Sequence, residues 1–227
     1  MIKMKKILAV AICVGMFTVA KSQIYVQGGV NLANITTSAS GSTQKNNMLT
    51  TFNVGFLGRS NATEPIALET GLLLEGRGSK TEDGSGSAYY KATFNPLYLE
   101  LPVNLIVRVP FQNNTSNFFI NGGPYIAMGI AGKSKVDGQL GGTTVHSSQD
   151  IKFTSVDPTS DDQAYSKLKR FDYGVNVGVG VDLGKVLLKA NYGLGLAKIN
   201  STQTNNGEDG KDKYRTVSIS LGIPFGK

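Results

Sequence analysis

The chain has 227 residues, 40% of them hydrophobic, and a formal net charge of +7, enough length for one domain with a sizeable core or one small barrel. The charge points toward a nucleic-acid partner only until its position is considered: Lys3, Lys5, Lys6 and Lys21 lie in an N-terminal leader, and without them 23 Lys+Arg become 19 against 16 Asp+Glu, a net +3. The single cysteine, Cys13, falls in the same leader, so disulfides and thiolate metal sites are excluded from the rest of the chain.

The leader spans residues 1–22. Three lysines precede an apolar run from Ile7 to Ala20, and Ala20-Lys21-Ser22 puts small residues at the −3 and −1 positions before Gln23. That is the pattern of a cleaved secretory signal peptide, too short and wrongly flanked to span a membrane. A lipoprotein attachment at Cys13 is disfavoured by Ile12, which stands where a small residue is needed.

From Gln23 on, the chain alternates with a period of two, the signature of strands. A first strand is predicted over 24–35, with Ile24, Val26, Gly28, Val30 and Leu32 in one phase. A polar segment, 36–49, leads to a second over 50–59, where Phe52, Val54 and Phe56 oppose Asn53 and Gly55. After a short turn at 60–65, a third over 66–78 sets Ile66, Leu68, Thr70, Leu72 and Leu74 against Glu69, Gly71, Leu73, Glu75 and Arg77. A Gly/Ser loop runs to Lys91. In the fourth strand, Leu97, Leu99, Leu101, Val103, Leu105 and Val107 oppose Tyr98, Glu100, Pro102, Asn104, Ile106 and Arg108. Pro102 has no N–H to give a ladder and predicts a bulge or a gap in pairing.

A turn at 110–116 precedes a fifth strand over 117–131, with Phe118, Ile120, Ile126, Met128 and Ile130 outward, Asn121 and Tyr125 inward, and a second awkward proline at Pro124. Residues 132–168 carry no sustained period and read as a loop with a short strand extension near 152–156. The sixth strand, 170–183, and the seventh, 186–197, form a hairpin about Gly184-Lys185, where glycine first suits a type II′ turn. Pairing Leu183 with Val186 puts Asp182 opposite Leu187 and Gly180 opposite Lys189, so apolar faces apolar along both strands. An acidic, glycine-containing loop, 198–213, precedes the eighth strand, where Val217, Ile219, Leu221, Ile223 and Phe225 oppose Thr216, Ser218, Ser220 and Gly222.

Eight strands joined by alternately long and short connections predict an all-β fold: an antiparallel, up-and-down transmembrane barrel over 23–227, with short periplasmic turns and long external loops. Each strand is long enough to cross a bilayer, which takes about 9 to 11 tilted residues. Phe94, Phe111, Phe118, Phe171, Tyr214 and Phe225 lie near strand ends, where interfacial aromatic girdles form. The lipid is then the partner of the apolar faces. Glu69, Glu75, Arg77, Glu100, Arg108, Asp172, Asp182 and Lys189 share the other face, where a narrow barrel packs its interior and buried charges survive by pairing. Parity alone allows the inverse, a soluble lipocalin-like carrier with the aliphatic face inside, but a lipid-ligand cavity would not hold Glu100, Arg108 and Asp182 together.

Five segments resemble the small outer-membrane β-barrel proteins of the Bacteroidetes, the PorT family: Glu69-Thr70-Gly71-Leu72-Leu73, Tyr98-Leu99-Glu100-Leu101-Pro102, Gly122-Gly123-Pro124-Tyr125, Asp172-Tyr173-Gly174-Val175-Asn176-Val177-Gly178 and Leu221-Gly222-Ile223-Pro224-Phe225. The resemblance covers essentially the mature chain and implies a porin-like barrel of the Gram-negative outer membrane, inserted by the barrel-assembly machinery. It brings no catalytic residues. A namesake of the family acts in protein secretion, a role that membership alone does not transfer.

Three other motifs stand apart from the barrel pattern. Ala127 to Ser134 fits the loose phosphate-loop spacing, but such a loop needs a helix after its strand and no helical period follows. His146, the only histidine, lies beside Ser147 and Ser148, a pairing an integral hydrolase could use, but without a third orienting group. Asn205 to Asp212 offers calcium-friendly oxygens, yet Gly207 stands where a ligand is needed. No catalytic, cofactor-binding or metal-binding residue is assigned, and no cofactor or nucleic-acid partner is expected. The predicted role is non-enzymatic, structural or binding, with any protein partner engaged through external loops or periplasmic turns; a secretion-machinery subunit is the alternative.

Overall fold

A computed structural model describes residues 22–39, 42–45, 47–63, 65–86, 88–111, 116–140, 143–154, 167–199 and 211–225. The predicted signal peptide, except Ser22, and most of the Asn205 to Asp212 segment lie outside the described residues. The strands in chain order are β1 (Ser22–Ala39), β2 (Ser42–Lys45), β3 (Leu49–Thr63), β4 (Ile66–Gly76), β5 (Ser79–Ser85), β6 (Ala88–Pro110), β7 (Asn117–Leu140), β8 (Thr143–Asp150), β9 (Lys152–Thr154), β10 (Lys167–Lys169), β11 (Phe171–Asp182), β12 (Leu187–Gly195) and β13 (Lys211–Phe225). Eight of them close into an antiparallel ring, β1-β3-β4-β6-β7-β11-β12-β13, with β13 paired back onto β1 from Ile24↔Phe225 to Ser38↔Lys211. Closure removes the unpaired sheet edges of the wall, which hydrocarbon could not satisfy.

Each predicted barrel strand has its counterpart in the ring. The β11–β12 hairpin keeps the expected register, Asp182↔Leu187 and Gly180↔Lys189. Gly184 takes φ 79°, a conformation L side chains avoid, and the Leu183 N–H donates to the Val186 carbonyl at 2.9 Å. Pairing fails on both sides of Pro102. The β4–β6 ladder skips from Thr70↔Val103 to Leu73↔Glu100, and the β6–β7 ladder skips from Pro102↔Tyr125 to Leu105↔Gly122.

Parity leaves the direction of the faces open, and the structure settles it. Apolar side chains point out, as in Phe56 (62% exposed) and Ile219 (65%), while Glu69 (0%), Glu100 (2%) and Asp172 (1%) are buried inside. An apolar belt around a charged interior is the reverse of a lipocalin. The girdle expectation needs correction for two residues: Phe94 and Tyr214 turn inward and join Ile35, Tyr98, Tyr125, Ile151, Leu168 and Ile199 in an apolar cluster. Phe111, Phe118, Phe171 and Phe225 remain exposed.

The larger correction concerns the long connections. Residues 79–85, 88–91, 132–140 and 143–150, expected as loops, are strand. β5, the first part of β6, the last part of β7 and β8 form a four-stranded sheet beyond the ring, with rows such as Asp83-Tyr90-Gly138-Val145 and Glu82-Lys91-Asp137-His146. One face carries Ala88, Tyr90, Ala92, Val136 and Val145; the other carries Lys80, Glu82, Lys91, Lys135, Asp137 and His146. The extension is amphipathic with a two-residue period, but its small and polar residues hide the pattern in the sequence. The short strand expected near 152–156 is present as β9, paired in parallel with β10.

Candidate functional site

The barrel interior holds two ion clusters separated by a belt of amides. Nearer the long connections, Arg77 is the hub. It follows β4 directly, and Gly78 (φ 132°) bends the chain there: a Cβ at Gly78 would stand 1.9 Å from the Phe94 carbonyl oxygen. The Arg77 guanidinium donates to the carboxylates of Glu100 and Asp172 and lies 3.4 Å from Glu75. The Tyr125 hydroxyl donates to Asp172 at 3.0 Å, and the Asn176 amide donates to Glu100 at 2.9 Å. The rings of Tyr125, Tyr98 and Tyr214 surround the cation at 4.7, 5.3 and 5.9 Å, within the range of cation–π attraction.

The second cluster lies toward the short turns. Arg59 pairs with Glu69 at 2.9 Å and with Asp182 at 3.5 Å. Glu69 also accepts hydrogen bonds from Lys189, Tyr25 and, at 3.2 Å, the Asn104 amide. Arg59 stacks over Phe119 at 4.6 Å. Between the clusters Asn53 donates to Asn31 at 2.6 Å and accepts from Gln27 at 3.2 Å and Ser220 at 3.0 Å.

All eight charges predicted for the minor face lie on it, and seven of them divide between these clusters; Arg108 sits half-buried, nearer the short turns. Arg59 escaped the sequence reading although it continues the phase of Asn53, Gly55 and Leu57. Tyr98 and Tyr125 take the inward face that their phase predicts, whereas Tyr214, expected in a girdle, escaped because a phenol near a strand end signals neither face. Four of the five segments that carry the family resemblance feed this network, and the fifth packs beside it. They supply Glu69, then Tyr98 and Glu100, then Tyr125, then Asp172 and Asn176; a Cβ at Gly222 in the fifth would stand 2.9 Å from the Tyr25 ring.

The geometry serves packing. A cavity of about 20 Å3 lined in part by Gln27, Glu75, Glu100, Asn104 and Lys189 has space comparable to one water molecule. Among the described residues no group of three or more His, Cys, Asp or Glu side chains is placed to hold a metal.

The other motifs resolve differently. Ala127 to Ser134 is continuous strand in β7, and the next described element is another strand, β8. His146 lies on β8 rather than in a loop and sits 2.7 Å from Asp137 across the ladder. Ser147 is on the opposite face of that strand. Asp212, the end of the calcium-like segment, is a buried residue of β13.

Several solved barrels resemble the chain at low identity. The attachment invasion locus protein Ail of Yersinia pestis, in complex with the heparin analogue sucrose octasulfate, is 12% identical, covers 90% of this chain and 99% of its own, and superposes with a TM-score of 0.41. Neisserial surface protein A is 14% identical over 89% of this chain and 97% of its own, with a TM-score of 0.39. The N-terminal barrel of Pseudomonas aeruginosa OprF is 9% identical over 90% and 100%, with a TM-score of 0.31. No curated protein sequence matches the chain. The model of one family, described as outer membrane protein beta-barrel domain, matches residues 17–201. That is most of the chain, and with an apolar belt outside and paired charges within, it belongs to the outer membrane protein beta-barrel domain family.

Proposed function

We propose that this outer-membrane protein works without enzymatic chemistry, as a closed barrel that presents a binding sheet to the outside. The observation that carries the reading is the contrast between the two ends of β6 and β7. Within the ring their inward side chains are locked into the ion clusters. Beyond it they continue into the four-stranded extension, whose side chains are largely exposed. A barrel with this interior conducts nothing, so an interaction has to use its ends.

In this reading the signal peptide of residues 1–22 is removed during export, residues 23–227 are inserted by the barrel-assembly machinery, and the barrel sits in outer-membrane lipid. A protein partner is engaged by the extension or by the periplasmic turns. The convergence of the PorT-like segments on Arg77 and Glu69 supports a PorT-like grouping within the Bacteroidetes, because those segments then describe one shared interior.

The test replaces residues 80–93 and 133–150 with short turns. The trimmed barrel should still insert and show a heat-shifted gel band, while losing any partner that co-purifies with the intact chain. Neither form should conduct ions in a planar bilayer, and a steady open conductance from the intact barrel would overturn the closed-lumen reading. Deletion in cells that blocks export of secreted proteins while other barrels assemble normally would favour the secretion subunit instead.

A further inference from the structure

The outer wall carries a groove where the apolar belt meets the base of the extension. The lipid-facing column of β7 runs through Ile126, Met128 and Ile130; beyond it stand Lys133 and Lys135, both exposed. A bulge opposite Leu97 and Tyr98 of β6 marks the boundary. Here Phe52 of β3, Leu97 of β6, and Ile130, Lys133 and Lys135 of β7 line a depression of about 650 Å3. Its floor is apolar, with Phe52 at 42% and Ile130 at 48% exposure, and its upper rim is basic.

The two lysines differ from Lys80, Lys91 and Arg215 at this end. Lys80 and Lys91 are held by Glu82 at 3.3 and 3.2 Å, and Arg215 donates to the carbonyls of Gly195 and Tyr214, each at 2.9 Å. Lys133 and Lys135 form no ion pair among the described residues. Asp150, also in the lining, pairs with Lys133 in the β7–β8 register without forming a salt bridge.

We propose that this groove binds a phosphate-bearing lipid of the outer leaflet, with its phosphate between Lys133 and Lys135 and an acyl chain against Phe52, Leu97 and Ile130. The placement carries the assignment: unpaired ammonium groups stand where the apolar belt ends, the level of lipid phosphates, and long lysine stems reach along the wall to put charge there. The lysine of the loose phosphate-loop motif, Lys133, thus meets phosphate on a strand, as a point charge at a membrane surface.

The inference rests on the outer-membrane reading, and its test separates the two. Full-length mature protein is inserted into nanodiscs of phosphatidylcholine containing a minor fraction of phosphatidic acid, and the lipids retained on extraction are counted by native mass spectrometry. Phosphatidic acid should be enriched, by about fivefold for each lysine, the effect of one basic residue at an anionic leaflet. Lys133→Gln and Lys135→Gln should each lower the enrichment by that factor, and the double variant should abolish it. Asp150→Asn should raise it, because a competing carboxylate leaves the rim. Excess inorganic phosphate should not displace the lipid. Displacement by inorganic phosphate, or enrichment that survives the double variant, overturns the lipid site. An inserted, heat-shifted wild-type barrel without enrichment overturns the groove alone. A wild-type chain that fails to insert overturns the membrane reading with it.

Discussion

The two buried ion clusters solve the same problem with different margins. Toward the short turns, two cations, Arg59 and Lys189, face two carboxylates, Glu69 and Asp182. Toward the long connections, Arg77 alone bridges Glu75, Glu100 and Asp172, with neutral donors from Tyr125 and Asn176 completing the shell. Charge in a narrow lumen can therefore be satisfied by matching or by one shared guanidinium. The second solution concentrates the stability of that end in a single side chain. Arg77→Leu should be the most damaging lumen substitution, lowering unfolding free energy in lipid vesicles by about 3 to 5 kcal/mol, because it leaves buried carboxylates without their cation. Replacing Glu100 and Asp172 by their amides in the same background should recover part of the loss. Equal stability of Arg77→Leu and wild type in urea titration would refute the hub.

An arginine on the other side of the wall is the counterpart. Val179 faces outward on β11, between Ile120 and Ala190, and Val179→Arg should cost about 2 to 4 kcal/mol at the bilayer midplane. Urea titration in the same vesicles measures it, and a change near zero would contradict the lipid-facing assignment. Gly178→Ala, which parity alone offers as a mild lumen probe, is unsuitable as a control. Its Cβ would stand 2.6 Å from the Ala190 carbonyl oxygen and closer still to the Asn191 amide.

Arg59→Leu then tests the margin of the matched cluster. Lys189 still binds Glu69, and Asp182 lies near the short-turn rim with 16% of its side chain exposed. The expected loss is about 1.5 to 3 kcal/mol, the range for hydrogen bonds to charged groups, and smaller than that for Arg77. If Arg59→Leu proves the more destabilising of the two, the contrast between shared and matched pairing fails.

The same contrast explains what the sequence makes legible. The ring strands alternate aliphatic with charged or small residues, because one face meets the apolar belt and the other a packed lumen. Their period, the hairpin register at Gly184 and the break at Pro102 can therefore be read directly. The extension meets water, so Thr81, Ser147 and Gln139 serve as well as aliphatic residues, and the period fades although the hydrogen-bonded ladder continues. The hub role of Arg77 was hidden for another reason. It depends on Gly78 turning the chain inward and on carboxylates from β4, β6 and β11, whose meeting only the closed ring determines.

A third ion cluster, outside the membrane, sets the lower limit of the comparison. Glu82 of β5 accepts from Lys91 at 3.2 Å and Lys80 at 3.3 Å on the solvent-facing side of the extension, and these hydrogen bonds hold its carboxyl below the ordinary glutamate range. A carboxyl with a lower pKa in the folded state than in the unfolded state adds stability above its unfolded pKa, and that contribution disappears as pH falls through the folded value. Any weakening of the extension from this source is therefore confined to acid, and water screening keeps it small. NMR titration of Glu82 should show a midpoint below that of an unpaired glutamate. The Lys80→Gln, Lys91→Gln double variant should restore the ordinary midpoint without a measurable change in thermal unfolding. A midpoint that the double variant leaves unmoved would show that the two lysines do not hold the carboxylate. A large loss of stability would show that contacts in water at this end carry weight comparable to that of the buried clusters.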